Sequence, residues 1–270
     1  MRQKTTVTAV LVWTATAIFL FPIFWIMFTS VKTPVQAFQI PPVWFFRPTL
    51  ENYVAVFRSQ PFGHYFWNSA TTAATSTIFS LTVGTAAAYS LARFRFRAQK
   101  SISFVIFLTR MVPPVVLLVP FFILFRNLNW TDTPAALAFS YTAFNLPFVI
   151  WLMWGFFKEI PYELEQAAMI DGASAFGAMV RITLPLARPG LAAASIFALM
   201  NAWNEFLFAL VLTGPNAKTL PVGAAQFVTQ DAILWGPVMA AGTMIMLPLI
   251  LFTVLIQKHL VRGLTMGAIK

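Results

Sequence analysis

Six stretches of this sequence stay mostly apolar for about 20 residues or more, the length a helix needs to cross the hydrocarbon core of a bilayer. They are Val7–Ser30, Asn68–Leu91, Ser101–Phe125, Pro134–Phe157, Leu191–Thr213 and Pro237–Gln257. Pro, Gly, Ser or Thr occurs within each, which membrane helices tolerate because neighbouring helices re-satisfy the freed backbone groups. The basic start at Met1–Lys4 is compatible with a signal peptide, but the apolar run behind it exceeds the usual ~7–15 residues, so it is read as a span. Composition agrees: 59% of the 270 residues are hydrophobic and 10% charged, against roughly half and a quarter in soluble domains. The pattern predicts an all-α polytopic membrane protein with six spans in a single transmembrane domain, 1–270.

Orientation follows from Lys and Arg, which concentrate on cytoplasmic loops. With the N-terminus inside, one face receives Arg2, Lys4, Arg93, Arg95, Arg97, Lys100, Lys158, Arg181, Arg188, Lys258, Arg262 and Lys270. The other receives only Lys32, Arg47, Arg58, Arg126 and Lys218. Both termini are therefore expected in the cytoplasm. The surplus on that face accounts for a net charge of +10 without a nucleic-acid partner. The absence of Cys excludes disulfide scaffolds, thiol nucleophiles, Cys-zinc sites and iron–sulfur clusters. No glycine is followed by lysine, so there is no phosphate-cradling loop. His64 and His259 are far apart and on opposite sides, and no Gly-x-Ser-x-Gly pattern occurs. No metal, cofactor or catalytic role is expected in this chain.

Residues 31–67 form a long external segment rich in Pro and aromatics, including Pro41, Pro42, Trp44, Phe45 and Phe46. It is read as a partly ordered loop with an interfacial aromatic belt. The one sizeable cytoplasmic loop, 158–190, carries the most information. Pro161 suits a first helical position, and Glu163 and Glu165 suit a first turn. Good helix formers run to Ile170, and Gly172 can take the left-handed conformation that ends a helix. Ser174 can cap a second short helix with Phe176, Met179 and Val180 on one side, limited by Pro185. The result is a helix–turn–helix with an apolar stripe outside the membrane, which marks a docking surface. The competing reading packs the loop onto its own bundle.

This loop resembles the EAA loop of ABC-importer permeases: Glu-Ala-Ala, three residues, Gly, nine residues, Ile, any residue, Leu-Pro. Ala167 and Ala168 match the alanines, Gly172 the glycine, and Ile182, Leu184 and Pro185 the ending, with the spacing complete. At the glutamate position stands Gln166, which can hydrogen-bond but carries no charge; Glu165 points roughly 100° away around the helix. Further similarity narrows the family to the carbohydrate permeases of the maltose-permease type. It lies in Pro22 and Trp25, Asn52-Tyr53, Asn68-Ser69, Ala88-Tyr89-Ser90-Leu91-Ala92-Arg93, Leu146-Pro147-Phe148, Ile170-Asp171-Gly172-Ala173, Trp203-Asn204-Glu205-Phe206 and Gly263…Gly267-Ala268. The resemblance implies one of two non-identical permease subunits in a prokaryotic cell membrane. It also implies two cytoplasmic ATP-binding subunits holding ATP and Mg, an external solute-binding protein, and a sugar or polyol as cargo. It assigns contact with the ATP-binding subunit to Glu165, Gln166, Ala167, Ala168, Asp171, Gly172, Phe176, Ile182, Leu184 and Pro185.

Two ionisable residues fall well inside the spans, Arg110 and Glu205, where charges normally face the bundle interior or a water-filled path. They are expected to line the translocation path and to pair, or else to fix helix register. Asn201, Asn204 and Glu205 fall at i, i+3 and i+4 on one helix face, as do Tyr141 and Asn145 on another. Aromatic surface with amide and carboxylate groups suits a carbohydrate, although buried Asn also serves helix–helix hydrogen bonds. Pro113 and Pro114 are expected to break or kink the third span. The rival reading from another class is an ion-coupled secondary transporter using Arg110 and Glu205 as a relay; a third is a non-transporting membrane scaffold.

Overall fold

A computed structural model describes residues 2–229 and 232–266, with side chains for 8–229 and 232–254. Gly267-Ala268, Lys270 and the side chains of Arg2, Lys4, Lys258, His259 and Arg262 lie outside the described residues. The described chain is helical; its β structure is one isolated antiparallel bridge, Val228 with Ile233.

Three helices are long and apolar enough to cross a membrane: α1 (Arg2–Ser30), α7 (Pro134–Glu159) and α14 (Trp235–Met266). Between α1 and α7 come α2 (Pro34–Phe38), α3 (Glu51–Ser59), α4 (Phe62–Arg93), α5 (Gln99–Thr109) and α6 (Pro114–Asn127). Residues 31–67, expected as an external loop, are thus more ordered than a loop, with α2, α3 and the first residues of α4 falling inside them. The third stretch is broken at Arg110–Pro113, where α5 and α6 meet at 95°. Pro113 supplies no N–H and an extended backbone, and Pro114 opens the next helix at its first turn.

After α7 come α8 (Glu163–Ile170), α9 (Ala175–Ala178), a π turn (Met179–Thr183), α10 (Leu184–Leu186), α11 (Arg188–Trp203), α12 (Leu207–Leu212) and α13 (Leu220–Ala225). The chain from Ala175 to Leu186 meets α11 at 76°. If each bent pair is one span, the described residues offer five. The fifth stretch, expected as one helix over 191–213, is instead broken at Asn204–Phe206. Helix α4 is 32 residues long but falls outside the apolar set because its face is Ala, Ser and Thr.

The chain divides into two compact units, 1–65 with 220–248 and 66–219 with 249–270. In the first, α3 staples the chain that follows α1. Asn52 Nδ2 donates to the carbonyls of Ser30 (2.9 Å) and Lys32 (2.6 Å), and the Ser30 and Tyr53 hydroxyls are 2.8 Å apart. Trp25 and Phe28 of α1 pack on Trp44 and Phe46 of the external segment.

In the second unit the core is built from three helices: Ala88, Tyr89 and Leu91 on α4, Val149, Ile150, Met153 and Phe157 on α7, and Ala194 and Ala198 on α11. Alanines on α11 let it approach α7 closely, the small-residue solution to packing helices in lipid. Ahead of α7, Asp132 holds the 214–217 loop. Its carboxylate accepts from the backbone N–H of Gly214 (2.7 Å), Ala217 (2.8 Å) and Asn216 (3.2 Å), and Asn68 Nδ2 donates to the carbonyls of Asn216 and Lys218.

Candidate functional site

The 158–190 loop takes the expected helix–turn–helix form with three local differences. Its first helix starts at Glu163, two residues after Pro161, with Tyr162 at the N-cap position. Gly172 ends it at φ +90°, the left-handed region that a Cβ disfavours. Ser174 Oγ then accepts from Gly177 N–H at 3.0 Å and opens α9 as expected. Pro185, expected to limit this helix, is carried through it. A proline ring clashes with the carbonyl four residues back, and here the chain opens to the wider π spacing over Met179–Thr183, with Leu184 N–H bonding the Met179 carbonyl.

The third difference concerns Glu165. Expected on the docking face, it points inward and is 1% exposed. Arg93 Nε donates to its Oε1 at 2.6 Å and the Tyr89 hydroxyl to its Oε2 at 2.6 Å. Arg93 Nη2 also donates to the Ile160 carbonyl at 2.9 Å, and its guanidinium lies 5.5 Å from the Tyr162 ring. Both oxygens of the acid are satisfied, so this buried pair fixes α8 to the end of α4. Gln166, Ala167, Asp171, Gly172 and Phe176 remain exposed; Ala168, Ile182, Leu184 and Pro185 are half-buried. Ile170 (86% exposed) and Phe176 (72%) form an apolar face with Val180.

The polar residues within the membrane-spanning region separate into two places. Tyr141, Asn145, Asn201 and Glu205 line one cavity of about 240 Å³ with Pro114, Phe144 and Phe208. Asn145 Nδ2 donates to the Ala198 carbonyl at 3.0 Å, and Asn201 Nδ2 lies 3.5 Å from Asn145 Oδ1. Tyr141 is buried, and its hydroxyl makes no well-formed hydrogen bond. Asn204 does not join the cavity lining; exposed at the end of α11, it donates to the Met200 carbonyl. The shared face expected for Asn201, Asn204 and Glu205 is lost because the helix stops at Trp203.

Glu205 instead caps α12, accepting from the N–H of Phe208 (2.9 Å) and Ala209 (3.1 Å). A carboxylate there satisfies donors with no helical partner and sits at the positive end of the helix dipole. Arg110 lines a separate cavity of about 210 Å³ with Pro147, Trp151 and Trp154, its guanidinium 5.0 Å from the Phe148 ring. Among the described residues the one salt bridge is Arg93–Glu165, so Arg110 and Glu205 do not pair. No group of three metal-ligating side chains occurs among the described residues.

Arg93 and Tyr89 were not legible as a site in the sequence, although they lie four residues apart on one face of α4 and the 158–190 loop contains four acids, Glu159, Glu163, Glu165 and Asp171. Asp132 left no local signal, since its partners lie more than 80 residues away.

The arrangement is a helical bundle that carries an anchored loop with an exposed apolar face. Residues 80–266 match the family described as binding-protein-dependent transport system inner membrane component, and the chain belongs to that family. It is 39% identical over 253 residues to the sulfoquinovosyl glycerol transport system permease protein SmoH of Agrobacterium fabrum, covering 93% of this chain and 89% of that one. Over 256 residues it is 37% identical to the trehalose/maltose transport system permease protein MalG of Thermococcus litoralis, covering 93% and 91%. A solved bacterial ABC transporter involved in the import of the acidic polysaccharide alginate superposes with a TM-score of 0.77 at 25% identity, covering 95% of this chain and 96% of that one. The resemblance read from the loop is thereby shown at the level of family.

Proposed function

We infer that this chain forms half of the translocation path of an ATP-driven, binding-protein-dependent importer for a carbohydrate, in a prokaryotic inner membrane. Its partners are a second, non-identical permease, two cytoplasmic ATP-binding subunits and an external solute-binding protein. The observation that carries this is the apolar face of Ile170, Phe176 and Val180, held away from the bundle while Glu165 anchors the loop from behind. Closure of the ATP-binding subunits moves the 158–190 loop, and the Arg93–Glu165 pair passes that motion to α4 as a rigid body. Gln166 contributes a neutral hydrogen bond at the docking face.

Six spans are assigned, α4 included. Its 32 residues reach about 48 Å at 1.5 Å per residue. Four of its hydroxyls bond back to its own carbonyls, Thr71 to Trp67 (2.7 Å), Ser76 to Ala73 (3.2 Å), Thr82 to Ile78 (2.8 Å) and Ser90 to Ala86 (3.0 Å), which lowers their cost in lipid. The Lys and Arg distribution puts both termini in the cytoplasm.

Carbohydrate cargo is supported by the sugar-transporting relatives and by the Tyr141–Asn145–Asn201–Glu205 cavity, which joins an aromatic wall to amide and carboxylate groups. At about 240 Å³ it is smaller than the roughly 300–1,000 Å³ of ordinary ligand pockets, as suits one contact along a path.

The test is purification of the tagged chain from its native membrane in mild detergent, followed by mass spectrometry. An ATP-binding subunit and a second permease are expected with the wild type. Phe176→Asp is expected to lose the ATP-binding subunit while keeping the permease partner. Recovery of the chain alone, with uptake driven by the proton gradient, overturns the reading.

A further inference from the structure

The first unit buries a lysine with no anion beside it among the described residues. Lys32 follows α1 by two residues and is 1% exposed. Its backbone is fixed by Asn52 and by a 3.1 Å bond from its N–H to the Thr29 carbonyl. The ammonium lies 4.5, 4.9 and 5.4 Å from the ring centroids of Phe28, Trp25 and Phe46. Such contacts offset part of the cost of taking an ammonium out of water. Burial accordingly pushes the Lys32 pKa down from its ordinary value. Within residues 1–65 and 220–248 the sequence holds two acids, Glu51 and Asp231. Glu51 is exposed and forms no ion pair; Asp231 lies outside the described residues.

Lys32 opens onto a cavity of about 350 Å³ that Thr29, Trp25, Phe38, Pro42 and Trp235 also line. Thr29 Oγ1 is buried there without a hydrogen-bond partner. The cavity therefore offers two donors without an acceptor, an ammonium and a hydroxyl, between aromatic and aliphatic walls. That set suits an oxyanion carried on an apolar body. It also lies where such molecules are concentrated: Thr8–Ser30 is a membrane-span candidate ending just before Lys32, which puts the donors at headgroup depth with Trp25, Trp44 and Trp235 around them.

We propose that the Lys32–Thr29 cavity holds the phosphate of an anionic phospholipid from the outer leaflet, with the aromatic walls against its glycerol and acyl groups. A free phosphate would leave those walls wet. The proposal rests on α1 spanning the membrane; subunit retention is recorded separately, so that failure of the importer reading is recognised independently.

The test uses the intact complex in detergent, supplied with phosphatidylglycerol, phosphatidylcholine or inorganic phosphate, with thermal midpoint and native mass spectrometry as readouts. Phosphatidylglycerol is expected to raise the midpoint and to stay bound, and its affinity to fall about tenfold or more in Lys32→Met and Thr29→Val. Thr29→Val keeps the lysine and its aromatic cage, so it carries the test if Lys32→Met does not assemble. Without a bound lipid, that substitution only removes an unpaired hydroxyl and leaves the midpoint equal or higher. Equal effects of the two lipids, an equal effect of inorganic phosphate, or unchanged lipid retention in both variants overturns the proposal. So does an Asp231→Asn variant that lowers the midpoint as Lys32→Met does with no response to phosphatidylglycerol, since the lysine then pairs within the chain.

Discussion

Glu165 shows what a single side chain's direction decides. Read along the helix it is one of two neighbouring polar residues at the head of the loop; in the fold it is the buried one, and Gln166 faces outward. Its partner Arg93 is 6% exposed, so removing either leaves a charge in a site that cannot hydrate it. Arg93→Met is expected to cost about 3–5 kcal/mol, and the double variant with Glu165→Met less than the sum of the singles, measured as thermal midpoints of the purified complex. Asp132 is the corresponding residue ahead of α7. Burial pushes its carboxyl up, but the backbone N–H groups of Ala217, Asn216 and Gly214 outweigh this and leave its pKa below the ordinary 3.8. A depressed folded-state value means the carboxylate stabilises the fold at neutral pH and loses that effect as pH falls below about 4. Asp132→Asn is expected to cost about 1–3 kcal/mol at neutral pH and to flatten the acid limb of a midpoint-versus-pH curve. An acid limb as steep as the wild type's would count against this role.

At the scale of elements, the signals that rest on one or two residues were legible. Gly172 takes the left-handed turn and Ser174 the cap because each effect depends only on local backbone and an adjacent N–H. Gly172→Val puts a branched Cβ at φ +90° in otherwise open space, a strain of about 1–3 kcal/mol confined to the turn. The variant is expected to insert and keep its bundle midpoint while losing the ATP-binding subunit and uptake. Pro113 and Pro114 break the third stretch for the reason expected, a missing donor and a fixed φ. Pro185 does not end its helix because the chain opens a π turn around the ring, and the break at Asn204–Phe206 has no Pro or Gly to announce it. There the Glu205 carboxylate captures two N–H groups of the next helix, a competition that periodicity cannot reveal.

For the whole molecule, the long apolar stretches already imposed helices in a membrane, since a continuous apolar run of about 20 residues in lipid satisfies its backbone within itself as a helix, whereas barrel strands are shorter and alternate. The packing of α7 against α11 required coordinates. A Cβ on Gly190 would stand 2.5 Å from the Phe156 ring, so Gly190→Ala is expected to cost about 1–3 kcal/mol by overpacking; an unchanged midpoint would mean that the ring moves freely. The helical class, the helix–turn–helix of the loop and its apolar stripe came from the sequence because they follow from hydropathy, spacing and local sterics. The inward turn of Glu165, the separation of Arg110 from Glu205, the Asp132 clamp and the aromatic cage of Lys32 came from tertiary structure alone. Each depends on which distant group fills the few ångströms around a polar atom, and one-dimensional order does not encode that distance.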